Sequence, residues 1–259
     1  MTPHLGLQVA TLARRSVTRT LRQPAMVVPA LFFPLLLLAV NSGGLQEATR
    51  IPGFPSDQYL DFVLAVCFVQ GGLFAANSAG TNVANDVESG FLNRLSLTPL
   101  NRAALLVGQL AGVVALGLIQ ATTFLVVGVI AGAGIEAGLA GALVIATLAL
   151  LISLGFGAIG AFVALRTGSG EAVQGIFPLM FAALFLSSMA LPRNLIEIDW
   201  FRTVATWNPV SYMLEGIRSL VIVGWDGEAL ALAFACAGGL ALIAMVAASG
   251  ALRTQMVRT

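Results

Sequence analysis

Residues 103–130 read AALLVGQLAGVVALGLIQATTFLVVGVI, an apolar stretch of 28 residues without a charged side chain. A helix needs about 20 such residues to cross the ~30 Å hydrocarbon core of a bilayer. Composition agrees, since 58% of the 259 residues are hydrophobic and only 10% are charged, against roughly 25% charged in a soluble domain. Six predicted spans follow, at about 25–42, 59–79, 103–130, 137–165, 172–191 and 229–252. The sequence therefore predicts an all-α polytopic membrane protein, with residues 1–259 forming one transmembrane domain.

The charged residues exclude several classes of function. All 13 basic residues are Arg and the net charge is +1, so the chain lacks the basic surface that binds nucleic acid. His4 is the only histidine, and Cys67 and Cys236 fall in apolar runs, so neither a His/Cys zinc site nor a Ser-His-Asp triad can be assembled. Without lysine the chain cannot form a Walker-type phosphate loop. If ATP drives this protein, another chain binds it.

Glycine, proline and glutamine inside the predicted spans point to helix packing. The motif GFGAIG at 155–160 has the letters of a dinucleotide loop but lacks the strand that must precede one. Two pairs in the third span, Gly108/Gly112 and Gly128/Gly132, have the spacing that lets helices approach closely. Pro29 and Pro34 predict a kinked first span whose freed backbone groups are satisfied by neighbouring helices. Three glutamines at depth either bond between helices or line a substrate path: Gln70, Gln120 and Gln174.

The arginines set the predicted orientation. With the N-terminus inside, the cytoplasmic side carries nine Arg and the outside four, as the positive-inside rule requires. All three Trp and both Tyr fall on the outer side, where amphipathic rings favour the headgroup layer. We therefore expect both termini to be cytoplasmic.

Two segments outside the spans are predicted to be helical. Residues 4–22 form an amphipathic helix at the inner interface, its arginines toward anionic headgroups. Those arginines are Arg14, Arg15, Arg19 and Arg22. Residues 192–228 are too polar for a span and too apolar for a free loop, and Asn208-Pro209 divides them. We expect two short external re-entrant helices that gate the path or shape its mouth, with Glu215 and Arg218 paired three residues apart.

A polar cluster, NDVESGFLNRLSLTPLNR at 85–102, interrupts the apolar chain between the second and third spans. Asp86 and Glu88 fall near the start of a possible helix, where carboxylates suit the helix dipole. The residues alone leave two interpretations open, an ordinary polar connection and a docking element for another protein.

Two motifs resemble the signatures of the type-2 ABC exporter permease family. The order E-x-G-x-x-x-R-L-x-x-T-P-x-x-R, similar to the family's cytoplasmic signature, is carried by Glu88, Gly90, Arg94, Leu95, Thr98, Pro99 and Arg102. The stretch NPVSYMLEGIR is similar to its second signature, carried by Asn208, Pro209, Tyr212, Glu215 and Arg218. The Arg-rich N-terminus ending in Arg22-Gln23-Pro24 is similar to its interfacial helix.

The resemblance implies a permease closest in kind to daunorubicin-exporter-like permeases. Such a permease pairs with a second permease chain, as a homodimer or heterodimer, and docks two separate ABC ATPase subunits. The ATPase contact would be a cytoplasmic coupling helix between spans two and three, together with the N-terminal helix and Asp86. No cofactor is expected in this chain, because ATP and Mg would be bound by the partner ATPase. The expected location is the cytoplasmic (inner) membrane, in contact with lipid.

The function predicted on this basis is export of an amphipathic drug-like or lipid-like substrate. One alternative is a polysaccharide or glycolipid exporter of the same family, whose path would profit from aromatic rings that stack on sugars. A membrane-embedded enzyme would need a reactive group beside a base at depth, and the spans offer only serines: Ser153, Ser187 and Ser188. A channel subunit would not need the 85–102 cluster.

Overall fold

The computed structural model describes residues 5–91, 94 and 102–257, and their regular structure is helical. The α-helices of this part are α1 (Leu5–Leu21), α2 (Pro24–Gly44), α3 (Tyr59–Glu88), α4 (Arg102–Ile130), α5 (Gly138–Thr167), α6 (Gly170–Phe185), α7 (Asp199–Trp207), α8 (Pro209–Arg218) and α9 (Gly227–Val257). Short 3-10 turns lie at Gln46–Arg50 and Arg193–Leu195, and a π-helical turn at Ser219–Val223 follows α8. The prediction of an all-α membrane protein is confirmed.

Among the described residues, five helices are long and apolar enough to cross a membrane: α2, α3, α4, α5 and α9. The sixth predicted span, 172–191, is met only by α6, which has 16 residues and ends at Phe185. At about 1.5 Å per residue α6 covers roughly 24 Å, less than the ~30 Å of a hydrocarbon core. The structure therefore supports five spans, and the count of six is not confirmed.

Helix α3 is the centre of the bundle. Of its most apolar stretch 83% is buried inside the chain, compared with 17% for α2 and 22% for α9. It also continues to Glu88, beyond the predicted end at residue 79. This extension occurs because its last turns, although polar, pack in one cluster with residues of α4 and α5 and bond to α1 through Asp86. The two ends of α3, called here the Tyr59 end and the Glu88 end, carry the polar contacts described below.

The glycines of GFGAIG lie within α5 and admit three different neighbours. A Cβ atom at Gly160 would lie 2.0 Å from the carbonyl oxygen of Ala76 on α3. A Cβ at Gly157 would lie 2.9 Å from the Val113 side chain on α4, and one at Gly155 would lie 3.2 Å from the backbone of α9. The motif therefore serves helix packing, because each glycine lets a different helix approach the backbone of α5.

Pro34 in α2 frees a backbone carbonyl that a neighbouring helix satisfies, as expected. A proline at position 34 removes the N–H that would bond the carbonyl of Ala30, four residues earlier. Nε2 of Gln120 on α4 donates to that carbonyl at 3.2 Å, so a neighbouring helix satisfies the freed acceptor. For Gln120 the interpretation as a bond between helices is confirmed. Gln174, by contrast, is exposed.

We expect Gly160→Ala to destabilise the bundle by about 1–3 kcal/mol, because its new methyl group meets backbone that cannot rotate away. Gly239→Ala on α9 is the matched control, since a Cβ there has nothing within 4 Å. The comparison is the melting temperature of the two detergent-purified variants. A Gly160→Ala protein as stable as the Gly239→Ala protein would contradict the α3–α5 contact.

Candidate functional site

Asp86, in the last turn of α3, is the centre of a charged cluster at the Glu88 end. Its side chain is 6% exposed and faces α1. Arg15 donates to both carboxylate oxygens, from Nη1 at 3.1 Å and from Nη2 at 2.8 Å. Nη1 of Arg19 donates at 2.7 Å, and Nε2 of Gln109 on α4 donates at 3.4 Å. One buried carboxylate thus joins three helices, with charge-assisted bonds of the stronger kind.

Arg15 extends this cluster beyond the end of α3. Its guanidinium lies over the ring of Phe91, 3.9 Å from the ring centroid, in a cation–π contact. The hydrogen bonds to Asp86 raise the pKa of Arg15 above its ordinary value, although partial burial opposes the shift. Phe91 follows the turn at Gly90, so one arginine contacts both the end of α3 and the start of the next segment.

Helix α1 is seated on α4 through Gly108 and Gly112. A Cβ at Gly108 would lie 2.4 Å from Cβ of Leu12. The Ser16 hydroxyl donates to the carbonyl of Gln109 at 2.7 Å and accepts from the N–H of Gly112 at 3.2 Å. The predicted close approach at this glycine pair is confirmed, and its partner is the N-terminal helix.

The second glycine pair behaves differently from the prediction. A Cβ at Gly128 would lie 2.9 Å from Leu64 of α3, so this glycine does admit a neighbour. Gly132 lies beyond the end of α4, has φ +102° and has nothing within 4 Å of a Cβ position. Its role is a left-handed turn that favours glycine.

The four arginines of the predicted interfacial helix, of which Arg22 lies just beyond the end of α1, do not act as one group. We expected all of them to face headgroups. Arg15 and Arg19 instead bind the buried Asp86, which requires positive partners, although the Arg15 side chain remains 40% exposed. Arg14 and Arg22 are exposed and stay available for the predicted contact with lipid. Sequence reasoning missed this division, although the i,i+4 spacing of Arg15 and Arg19 places them on one face of a helix.

The structure describes some of the predicted ATPase-coupling residues near Gly90 and not others. Asp86 and Glu88 lie in the last turn of α3, so their expected position at the start of a helix is wrong, because α3 continues through the polar run. Gly90 has φ +67°, and the N–H of Arg94 bonds its carbonyl at 3.1 Å.

The side chains of Glu88 and Arg94 are exposed. Each makes one long bond, Glu88 accepting from the N–H of Gly170 at 3.4 Å and Arg94 donating to the carbonyl of Ser89 at 3.5 Å. Leu95, Thr98 and Pro99 lie outside the described residues. Arg102 begins α4.

At the Tyr59 end, the second motif surrounds a non-helical segment at 186–192 that follows α6. Asn208 caps α8 by accepting from the N–H of Val210 at 3.0 Å. Its Nδ2 donates to the carbonyls of Ala183 at 2.6 Å and Leu186 at 3.1 Å, which the end of α6 leaves without helical partners. Pro209 occupies the first position of α8, where proline is tolerated.

Arg218 holds the same segment from the other side. Its Nη1 and Nη2 donate to the carbonyls of Ser188 at 2.6 Å and Met189 at 2.8 Å, and Nε donates to that of Phe62 at 2.9 Å. The hydroxyl of Tyr59 donates to the carbonyl of Ala190 at 2.9 Å. These bonds satisfy irregular backbone within an apolar bundle, the condition under which such backbone is tolerated.

The expected pair between Glu215 and Arg218 is wrong. Glu215 accepts two bonds from Arg193, from Nε at 2.7 Å and from Nη2 at 2.6 Å, because the fork of an arginine matches a carboxylate. The Arg193 guanidinium also lies 4.4 Å from the ring centroid of Tyr212, whose hydroxyl bonds the carbonyl of Thr206. The sequence did not identify Arg193 because it lies 22 residues from Glu215.

These features define the class of protein: an all-helical membrane protein whose N-terminal helix is bound to the end of its central span. A family model described as ABC-2 type transporter matches residues 7–222. The chain belongs to this family.

Named relatives agree at low identity. The chain is 24% identical to the daunorubicin resistance ABC transporter permease protein DrrB1 of Streptomyces coeruleorubidus, over 76% of this chain and 67% of that protein. It is 26% identical to a protein named as a probable doxorubicin resistance ABC transporter permease, DrrC of Mycobacterium tuberculosis, over 81% and 75%. A protein named as putative transport permease ycf38 of Porphyra purpurea is 24% identical, over 82% of this chain and 72% of that protein. Permease subunits of this kind are non-catalytic, and ATPase activity lies in a partner chain.

We expect Asp86→Asn to destabilise the attachment of α1 by about 2 kcal/mol, because it removes the charge that two arginines share. The measurement is amide hydrogen exchange across Leu5–Leu21, which should accelerate, together with the melting temperature. Glu171→Gln is the control, because it removes an exposed carboxylate at the start of α6. Equal exchange in α1 of both variants would contradict the cluster.

Proposed function

We propose that the chain is the permease subunit of an ATP-driven exporter that moves an amphipathic drug-like or lipid-like substrate out across the cytoplasmic membrane. The observation that carries this proposal is the Asp86 cluster. It fixes α1 and the end of the central span α3 beside a turn whose charged side chains, Glu88 and Arg94, are exposed. A displacement of this turn would also move α3, because the bonds of the Asp86 cluster restrict relative movement of the two.

The turn at Gly90 suits a protein partner. No described residue would lie within 4 Å of a Cβ at Gly90, so the described part of the surface leaves room beside the turn. Glu88 and Arg94 provide opposite charges that can make directional bonds across an interface. The partner we propose is an ABC ATPase subunit, two of which would serve a pair of permease chains, identical or mixed. ATP and Mg would be bound by the ATPase, consistent with the absence of lysine from the sequence.

The proposed topology places both termini and residues 85–102 in the cytoplasm. It is supported by the nine-to-four division of the arginines. It requires α6 to complete a sixth crossing together with residues 186–192. The bonds from Asn208, Arg218 and Tyr59 support this, because they satisfy the backbone of the segment that extends the short helix.

We propose an amphipathic substrate rather than a saccharide, because the clustered aromatic rings that could stack on sugars are packed against one another. Phe33, Phe74, Phe177 and Phe181 lie together on α2, α3 and α6, with ring centroids 5.0–6.3 Å apart. Their rings pack edge to face, at 62–83°, and phenylalanine has no polar atom for a sugar hydroxyl. The drug-resistance names of two relatives support the same substrate class.

Exposed charges near Gly90 are the first test. We expect Glu88→Ala and Arg94→Ala each to weaken ATPase binding by at least about tenfold, because a charged contact desolvated at an interface typically contributes about 2–5 kcal/mol when truncated. Two assays measure this: co-purification of the cognate ATPase in detergent and substrate-stimulated ATP hydrolysis in liposomes.

The controls are Glu228→Ala and Arg253→Ala, which remove exposed charges elsewhere on the chain. Two substitutions of Gly90 separate the effect of its backbone conformation from the effect of an added side chain. Asn tolerates a left-handed conformation and Val does not. Gly90→Asn should fold normally, whereas Gly90→Val should strain the turn. Normal ATPase binding and normal stimulation of ATP hydrolysis in both Glu88→Ala and Arg94→Ala would show that the turn is an ordinary polar connection.

A further inference from the structure

A cavity of about 530 Å³ opens at the Tyr59 end of the bundle. It lies between the α7–α8 pair, the first turn of α3 and the start of α9. Its polar lining consists mainly of charged side chains: Arg193, Arg202, Glu215, Arg218 and Asp226. Because Arg202 and Asp226 are exposed, the cavity is accessible from outside the bundle.

Arg218 is a buried cation in the wall of this cavity. The residue is 5% exposed, and its guanidinium lies 3.5 Å from the centroid of the Phe62 ring. A guanidinium has five N–H groups, and three bonds to backbone carbonyls use one N–H on each nitrogen. One N–H on each of Nη1 and Nη2 is left. Among the described residues no carboxylate forms an ion pair with Arg218, so its direct contacts are three carbonyls and a ring.

The carboxylates that could neutralise Arg218 are already engaged. Glu215 is held by both nitrogens of the Arg193 fork. Asp226 caps the start of α9, where its Oδ1 accepts from the N–H groups of Glu228 and Ala229. Arg202 is paired with Asp199 on its own helix. Arg193 and Arg202 are thus each paired with a carboxylate, and Arg218 is the arginine of the cavity wall that has no carboxylate within ion-pair distance among the described residues.

The surroundings of the cavity suit the headgroup layer of a membrane. Trp200 is 63% exposed, Trp207 84% and Trp225 60%, and they are the three tryptophans of the chain. Trp225 directly precedes Asp226 in the cavity wall. Since tryptophan favours the layer where lipid phosphates lie, the same depth would supply a phosphate to the cavity.

We propose that this cavity binds a phosphate-type anionic group, with Arg218 as the buried charge that recognises it and Arg202 as a second contact at its mouth. The phosphate of an anionic phospholipid and a free phosphate share this chemistry. The site does not depend on the ATPase, so its test is independent of transport.

Tryptophan fluorescence measures occupancy directly, because every tryptophan lies in the segment that forms the cavity. The purified chain is reconstituted in phosphatidylcholine nanodiscs containing increasing amounts of phosphatidylglycerol with brominated acyl chains, which quench nearby tryptophan. A parallel series uses brominated phosphatidylcholine, and a third adds inorganic phosphate to unbrominated nanodiscs. Selective quenching by phosphatidylglycerol indicates a lipid source, and a saturable response to inorganic phosphate indicates a free anion. Either result supports the site.

Matched variants identify the residues. Arg218→Gln should weaken the selective response by roughly tenfold, as expected for a buried charged hydrogen bond. Arg202→Gln should weaken it by about two- to threefold, because Arg202 is partly exposed. Arg50→Gln is the control, since Arg50 is an exposed arginine in an i,i+3 pair with Glu47, as Arg202 is with Asp199, but does not line the cavity.

If Arg218→Gln fails to fold, the fluorescence responses of Arg202→Gln and Arg50→Gln are compared instead, and that comparison tests the proposed site. Equal responses of those two variants would overturn the proposal, because general surface charge would then explain the binding. Absence of both phosphatidylglycerol selectivity and a phosphate response in the parent chain would overturn it as well.

Discussion

The buried carboxylate of Asp86 is the constraint on which the Glu88 end of the structure depends. A carboxylate removed from water is costly unless positive partners and hydrogen bonds surround it, and Arg15 and Arg19 can supply them only if α1 lies against α3. Gly108 and Gly112 allow that position because they let α1 approach the backbone of α4. An amphipathic helix that could otherwise lie freely on a membrane surface is thereby fixed to the central span. The exposed turn at Gly90 is restrained as well, since Arg15 also contacts Phe91.

At the Tyr59 end of α3, a buried cation, Arg218, satisfies backbone carbonyls that would otherwise lack partners. Helix α6 ends early, at Phe185, and the residues that follow expose backbone carbonyls inside an apolar bundle. Arg218, Asn208 and Tyr59 donate to these carbonyls, which makes an irregular segment compatible with burial. The arrangement explains why a motif outside the spans is so polar, and it leaves Arg218 without a carboxylate partner. The same residue therefore both supports the fold and places a cation without an ion-pair partner in the wall of the adjacent cavity.

The sequence predicted the fold class and most helix positions, because long apolar stretches admit little else in a membrane. It also predicted that Gly108 and Gly112 would admit a helix, although not that α1 would be the partner. Partners distant in sequence escaped it: nothing local connects Arg15 with Asp86, 71 residues away, or Arg193 with Glu215. The length of α6 escaped it too, since residues 186–191 are as apolar as a span and their departure from helix depends on side chains of α3 and α8. Both errors arise where tertiary contacts override local pattern.

The central claim is that α1 and the turn after α3 move as one body. Spin labels on Arg14→Cys and Ser89→Cys, both exposed positions, in a chain lacking Cys67 and Cys236, would report the distance between them by pulsed electron paramagnetic resonance. Dilution with unlabelled chain restricts the signal to one labelled permease in each complex. We predict one narrow distance distribution, unchanged when the complex with its ATPase binds ATP, and a broadened distribution in an Asp86→Asn background. A mean distance that shifts on ATP binding in the parent chain would contradict the account, because α1 would then move independently of the turn.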